Sequence, residues 1–121
     1  TRSEDSAMAD ECIFCDIGRG QTDSELLFSD DRCFVIRDIA PLAPTHLLII
    51  PYMHMTSLGY IGPGQEALFG HLFAVAEEMA RREQVTLSGF RVSINQGPDS
   101  GQGIPHTHVH LLGGKPLPAL G

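Results

Sequence analysis

Leu68, Leu72, Val75 and Met79 recur at steps of four, three and four, with Phe69, Phe73, Ala76 and Ala80 beside them. This period predicts an amphipathic helix over 65–83. Gly62-Pro63-Gly64 marks its start, since proline suits a first helical turn, and Glu66, Glu77 and Arg81 fall on the opposite side. Shorter apolar stretches over 25–29, 33–38, 46–51, 90–95 and 106–112 are bounded by Gly, Pro, Asp or Asn and read as strands. Within 90–95, Phe90, Val92 and Ile94 alternate with Arg91, Ser93 and Asn95, so one face is apolar and the other polar. Asp30-Asp31 predicts a tight hairpin between the first two strands, and 97–105 is a long glycine-rich loop. With a helical turn ahead of the first strand, the order predicts an α+β domain built on an antiparallel sheet.

Composition narrows what such a domain does. A chain of 121 residues holds one domain with a real core, and an apolar fraction of 42% matches an ordinary globular protein. The formal charge is −7 with eight Lys plus Arg, and Arg81-Arg82 is the only basic pair. Binding a nucleic-acid polymer needs a stripe of cations, so that partner is excluded. A small phosphate ligand would be held by neutral donors. Apolar runs such as Leu47-Leu48-Ile49-Ile50 are far shorter than the roughly 20 residues of a membrane span. Residues 1–7 lack the apolar stretch of a secretory signal and read as a remnant ahead of Met8, so 1–10 is expected to be disordered or expression-derived. Three cysteines, two of them as Cys12-x-x-Cys15, favour metal or redox chemistry in a reducing, cytoplasmic setting over a disulfide framework.

The candidate chemistry lies in His106-Thr107-His108-Val109-His110. In an extended segment, side chains two apart share a face at roughly 6.6–6.8 Å spacing. The three imidazoles therefore point one way, while Val109 and Leu111 point towards the long helix. Near its reference pKa of about 6.5 an imidazole offers a lone pair at neutral pH, and it can divide a substitution at phosphorus into two easier steps. A nucleophilic His needs its other ring nitrogen held as a donor, commonly by a carbonyl, which a neighbouring strand can supply. Spacing alone leaves a nucleophile, a metal site and an exposed polar face all open.

The run resembles the signature of the histidine triad (HIT) family, His-φ-His-φ-His-φ-φ with φ apolar, and Thr107 is a slightly polar departure. Other landmarks stand in order: Cys12-Ile13-Phe14-Cys15, Asp38-Ile39-Ala40-Pro41, Pro44-Thr45-His46-Leu47-Leu48-Ile49-Ile50-Pro51 with His54, Asn95-Gln96-Gly97, Gly101-Gln102 and Leu112-Gly113-Gly114. The resemblance covers 11–116, leaving 117–121 as a tail. Asn95 and Gly113-Gly114 resemble the Hint branch more than the Fhit branch.

The resemblance implies a five-stranded antiparallel sheet with one long helix and a short N-terminal helix, paired as a homodimer into a ten-stranded sheet. It implies binding of a purine nucleoside monophosphate or phosphoramidate and hydrolysis at the α-phosphate through a nucleotidyl-histidine. Carried over by position, His108 is the nucleophile, His110 supports it and His46 completes the cluster, with His106 beside them. Phe14, Ile17, Ile36 and Ile39 would line the base pocket, Asp38 would accept from the ribose, and Asn95, Gly101, Gln102 and Gly103 would sit by the phosphate. Gly103 stands where Hint proteins commonly carry serine; losing one donor costs on the order of 1 kcal/mol in the transition state, so weaker or differently selective activity is expected. Two alternatives are dinucleoside polyphosphate hydrolysis, as in the Fhit branch, and a non-catalytic zinc-stabilised dimer that binds nucleotides.

Two thiolates are half of a structural zinc site. In family members that keep both cysteines, the partners match His54 and His106. A structural zinc on Cys12, Cys15, His54 and His106 is therefore expected, with no organic cofactor; a reduced, metal-free pair is the alternative. Zinc would claim His106 as a strut and leave His46, His108 and His110 to the chemistry. His71 is expected at a solvated or interface position, Cys33 in the core, and Phe69, Phe73 and Met79 in core or dimer packing.

Overall fold

A computed structural model describes residues 12–56 and 62–119. The expectation for 1–10 and the end of the 117–121 tail lie outside these described residues. Helix α1 (Ile13–Gly18) leads into strands β1 (Phe28–Ser29), β2 (Cys33–Arg37) and β3 (Thr45–Pro51), helix α2 (Pro63–Arg82), and strands β4 (Phe90–Ser93) and β5 (Val109–Gly113). The five strands form one antiparallel sheet in the order β1-β2-β3-β5-β4. The mixed architecture is the one expected.

Period-two alternation sorts the strand residues onto two buried faces. Val35, Leu47, Ile49, Val109 and Leu111 pack with Leu72, Val75, Ala76 and Met79 of α2. On the other face Phe34, Ile36, Leu48 and Ile50 pack with Cys12, Phe14 and Ile17. Burial on both sides explains why β3 reads as an unbroken apolar run rather than an alternating one. Helix α2 starts with Pro63 at its first position and the Gln65 side chain accepting from Gly62 N–H at 2.9 Å. It closes through Gln84, whose φ of 61° turns the chain so that buried Val85 N–H reaches the Ala80 carbonyl at 3.0 Å. Val85 packs closely over Gly113, where a Cβ would lie 3.1 Å from the Val85 side chain and force it to shift by a few tenths of an ångström.

Four strands are shorter than their apolar patterns, β2 by the single residue Asp38. β1 keeps only Phe28–Ser29 of 25–29, and β4 ends at Ser93 because Asn95 turns away to donate to the Ser100 carbonyl at 2.6 Å. β5 begins at Val109, not 106. Its continuing register would set Thr107 opposite Pro51, which has no N–H to offer, and Thr107 N–H instead donates to the Met55 carbonyl at 2.6 Å. The predicted hairpin turn is present: Asp30 Oδ1 accepts from the N–H groups of Arg32 and Cys33 at 2.8 and 2.9 Å. His71, expected at a solvated or interface position, is partly exposed and bonds Asp30 Oδ2 within the chain, clamping α2 to the hairpin. Phe73 is 47% exposed, whereas Phe69 and Met79 are buried.

Candidate active site

His108 and His110 stand on the sheet face opposite α2, where His110 pairs with Leu48 across β3 and β5 and Phe14 of α1 packs edge-on against His108. They open into a cavity of about 330 Å³ that also takes in Phe14, Asp38, Asn95, Gly101, Gln102 and Gly103. A second hollow of about 350 Å³ is lined by Ile17, Ile36 and Ile39, together with Ser24, Glu25 and Arg37. Asp38, between Arg37 and Ile39 of this hollow in sequence, lines the first cavity. Ile39 is 99% exposed and presents an apolar side chain to this hollow. Ile17, Ile36 and Ile39 thus line one hollow, while Phe14, Asp38, Asn95, Gly101, Gln102 and Gly103 line the cavity of His108 and His110. Leu42, Leu48 and Ile104 also line the first cavity; Leu48 was findable only from its register opposite His110.

Backbone groups set the ring protonation. His108 Nδ1 lies 2.7 Å from the His106 carbonyl, an acceptor only, so Nδ1 carries the hydrogen and Nε2 the lone pair. The carbonyl comes from two residues back in the same segment, not from a neighbouring strand. Leu42 N–H donates to His46 Nδ1 at 3.1 Å, which leaves the His46 hydrogen on Nε2. That nitrogen lies 3.0 Å from His110 Nδ1 and 3.4 Å from Asp38 Oδ2. His110 Nδ1 therefore accepts, and neutral His110 presents its hydrogen at Nε2. Burial lowers the pKa of His108, against the opposing pull of the His106 carbonyl and the Asp38 charge. Burial, then the neighbouring His108 and His46, push His110 down to about 4. Both rings are neutral at pH 7. No Lys or Arg is among the described residues lining this cavity.

His106 occupies a separate environment. Its Nε2–H donates to the Pro51 carbonyl at 2.8 Å, aiming the Nδ1 lone pair at Cys12 Sγ, 3.4 Å away, and Cys15 Sγ, 3.7 Å away. His54 Nδ1 completes the group at 3.1 Å from His106 Nδ1 and 3.2 Å from Cys15 Sγ. A tetrahedral zinc with ordinary Zn–N and Zn–S bonds has ligand–ligand edges of roughly 3.3–3.8 Å. The four separations above lie within a few tenths of an ångström of that range, all four atoms lie within 4.8 Å of one another, and the donor set is the one such a site uses. Burial and the adjacent Cys12 push the Cys15 thiol up to about 11, and a bound cation would reverse that shift.

Residues 19–117 match the HIT domain family. The chain is 38% identical over 110 residues to the purine nucleoside phosphoramidase of Escherichia coli K12, covering 91% of this chain and 92% of that protein. It resembles the crystal structure of a HIT family hydrolase from Legionella pneumophila with a TM-score of 0.85 and 35% identity, over 88% of this chain and 95% of that one. A zinc-bound histidine triad family protein from Mycobacterium smegmatis is similar at a TM-score of 0.75 and 28% identity, over 88% and 77% of the two chains.

Proposed function

The chain belongs to the HIT domain family and is a hydrolase of it; we propose that it cleaves the P–N bond of purine nucleoside phosphoramidates through a nucleotidyl-histidine on His108. The observation that carries this reading is the ring orientation of His108, whose Nδ1–H is held by the His106 carbonyl so that Nε2 carries the lone pair, with the His110 ring centroid 4.9 Å away. The base lies against Ile17, Ile36 and Ile39, and the ribose hydroxyls reach Asp38. In the first step the His108 Nε2 lone pair forms a bond to the α-phosphorus as the P–N bond breaks, the leaving nitrogen takes a proton from solvent, and the His110 Nε2–H donates to a phosphate oxygen. In the second step water attacks the phosphorus, gives its proton to solvent as the bond to His108 breaks, and releases His108 with the nucleoside monophosphate. The loop 97–105 contributes neutral donors to the phosphate, which suits a cavity without cations.

Zinc on Cys12, Cys15, His54 and His106 would tie the start of α1 to the sheet as a structural crosslink; every chemical step above belongs to other residues. The printed name of the E. coli relative supports the phosphoramidate reading, and the zinc-bound relative supports the metal. Assays of wild type and His108→Asn with an adenosine phosphoramidate and a diadenosine polyphosphate test the function. Preferred turnover of the phosphoramidate, abolished in the variant, is expected. Preferred turnover of the polyphosphate would shift the reading to dinucleotide hydrolysis, and turnover of neither would leave a binding protein.

A further inference from the structure

We propose that Asp30, Cys33 and His71 form a second metal site, separate from the Cys12 cluster, that holds a divalent ion of the zinc type and leaves it one open position for water. A carboxylate oxygen of Asp30, Sγ of Cys33 and a ring nitrogen of His71 all lie within 4.8 Å of one another. They come from elements far apart in sequence: Asp30 sits in the turn between β1 and β2, Cys33 opens β2, and His71 stands on α2. Cys33 belongs to the core on the α2 side of the sheet, whereas Cys12 belongs to the core on the other side. The two groups share no residue, and the sheet lies between them.

The carboxylate is already oriented for a third partner. Asp30 Oδ1 accepts from the N–H groups of Arg32 and Cys33 at 2.8 and 2.9 Å, which fixes the side chain and leaves Oδ2 to point at His71 Nε2, 2.5 Å away. A tetrahedral ion with ordinary bonds to nitrogen and oxygen sets two such atoms roughly 3.3 Å apart, so the side chains separate by less than an ångström on binding. Asp30 and His71 are 24% and 22% exposed and form the rim, where that movement meets little resistance. Cys33, at 0%, forms the floor.

The donor set selects the ion. Calcium and magnesium take oxygen ligands, while a thiolate, an imidazole and a carboxylate together suit zinc or cobalt. Three protein ligands leave a fourth tetrahedral position at the exposed rim. Binding releases the Cys33 thiol proton to solvent and moves the hydrogen of neutral His71 from Nε2 to Nδ1. The carboxylate, the thiolate and the ion then sum to zero charge, so no net charge is left against the core around Cys33. The ion takes over the direct contact of Asp30 with His71 and ties the turn to α2 through three bonds.

The full chain, stripped with a chelator and dialysed against zinc chloride, is expected to retain two zinc ions by atomic emission. Cys33→Ala and His71→Gln should each retain one fewer than wild type, with the circular dichroism of a folded chain. A wild type that retains a single ion, lost in both variants, supports this site and removes the Cys12 one. Cadmium NMR of the cadmium-loaded wild type reads the site without any substitution. Two resonances are expected, with that of the one-sulfur site upfield of that of the Cys12 and Cys15 site. A wild-type spectrum without a one-sulfur resonance overturns the proposal, as does zinc retention by either folded variant equal to that of wild type.

Discussion

At the scale of single residues, imidazole chemistry here is set by backbone groups, the one on His106 from far away in sequence and the one on His108 from two residues back. Period-two spacing made His106, His108 and His110 look equivalent, yet the Pro51 carbonyl turns His106 towards Cys12 and Cys15 while the His106 carbonyl holds His108. Ring direction was not legible from the run, because it depends on Pro51 and Leu42. Burial keeps His108 and His110 neutral, so their depressed pKa values mean that protonation, and loss of the lone pair, waits for lower pH. The acid limb of kcat/KM is therefore expected well below the ordinary imidazole value of about 6.5, towards the 4 of His110. A pH–rate profile with its midpoint at 6.5 would contradict this. His46→Leu removes the hydrogen that fixes His110 and is expected to lower kcat by about one to two orders of magnitude with little change in KM. An equal effect on both constants would mark a binding role instead.

Among the elements, apolar periodicity made α2 legible to within a few residues, because Pro63 and the stripe of Leu68, Leu72, Val75 and Met79 depend only on local sequence. Strand ends were less legible, since Pro51 shortens β5 from the neighbouring strand and no signal within 106–112 announces it. The Asp30–His71 clamp was missed for the same reason: a hairpin turn and a helix supply one partner each. Burial raises the Asp30 pKa, but the amides of Arg32 and Cys33 and the His71 ring outweigh it and hold the carboxyl at about 2. Its contribution is present above pH about 4 and is lost as pH falls towards 2. Asp30→Ala is expected to cost about 2 kcal/mol at neutral pH, measured by urea unfolding, because two amides and a ring lose a charged acceptor. With the proposed zinc bound, helix α1 would be held by the Cys and His cluster in a comparable way. Chelation is expected to lower the Tm while the refolded-temperature turnover persists, and a loss of turnover in still-folded protein would assign the metal to catalysis.

The whole molecule is a sheet buried on both faces, with β4 left at an edge. All four β4 residues are half-buried and Phe73 of the adjoining α2 is exposed, which supports pairing of two chains along this side. Sedimentation is expected to give twice the chain mass of 13.1 kDa, and Phe73→Glu to return the single-chain value. A wild-type chain that sediments singly would remove the ten-stranded sheet. The cation-free lining of the His108 cavity has a kinetic consequence. A nucleotide anion approaches a chain of net charge −7 with no Lys or Arg in that lining to draw it in. Diffusional encounter is therefore opposed by the long-range field, and added salt shortens the reach of that field to about 8 Å at 0.15 M. Ligand capture should quicken as ionic strength rises, the reverse of what a phosphate site built on cations would do.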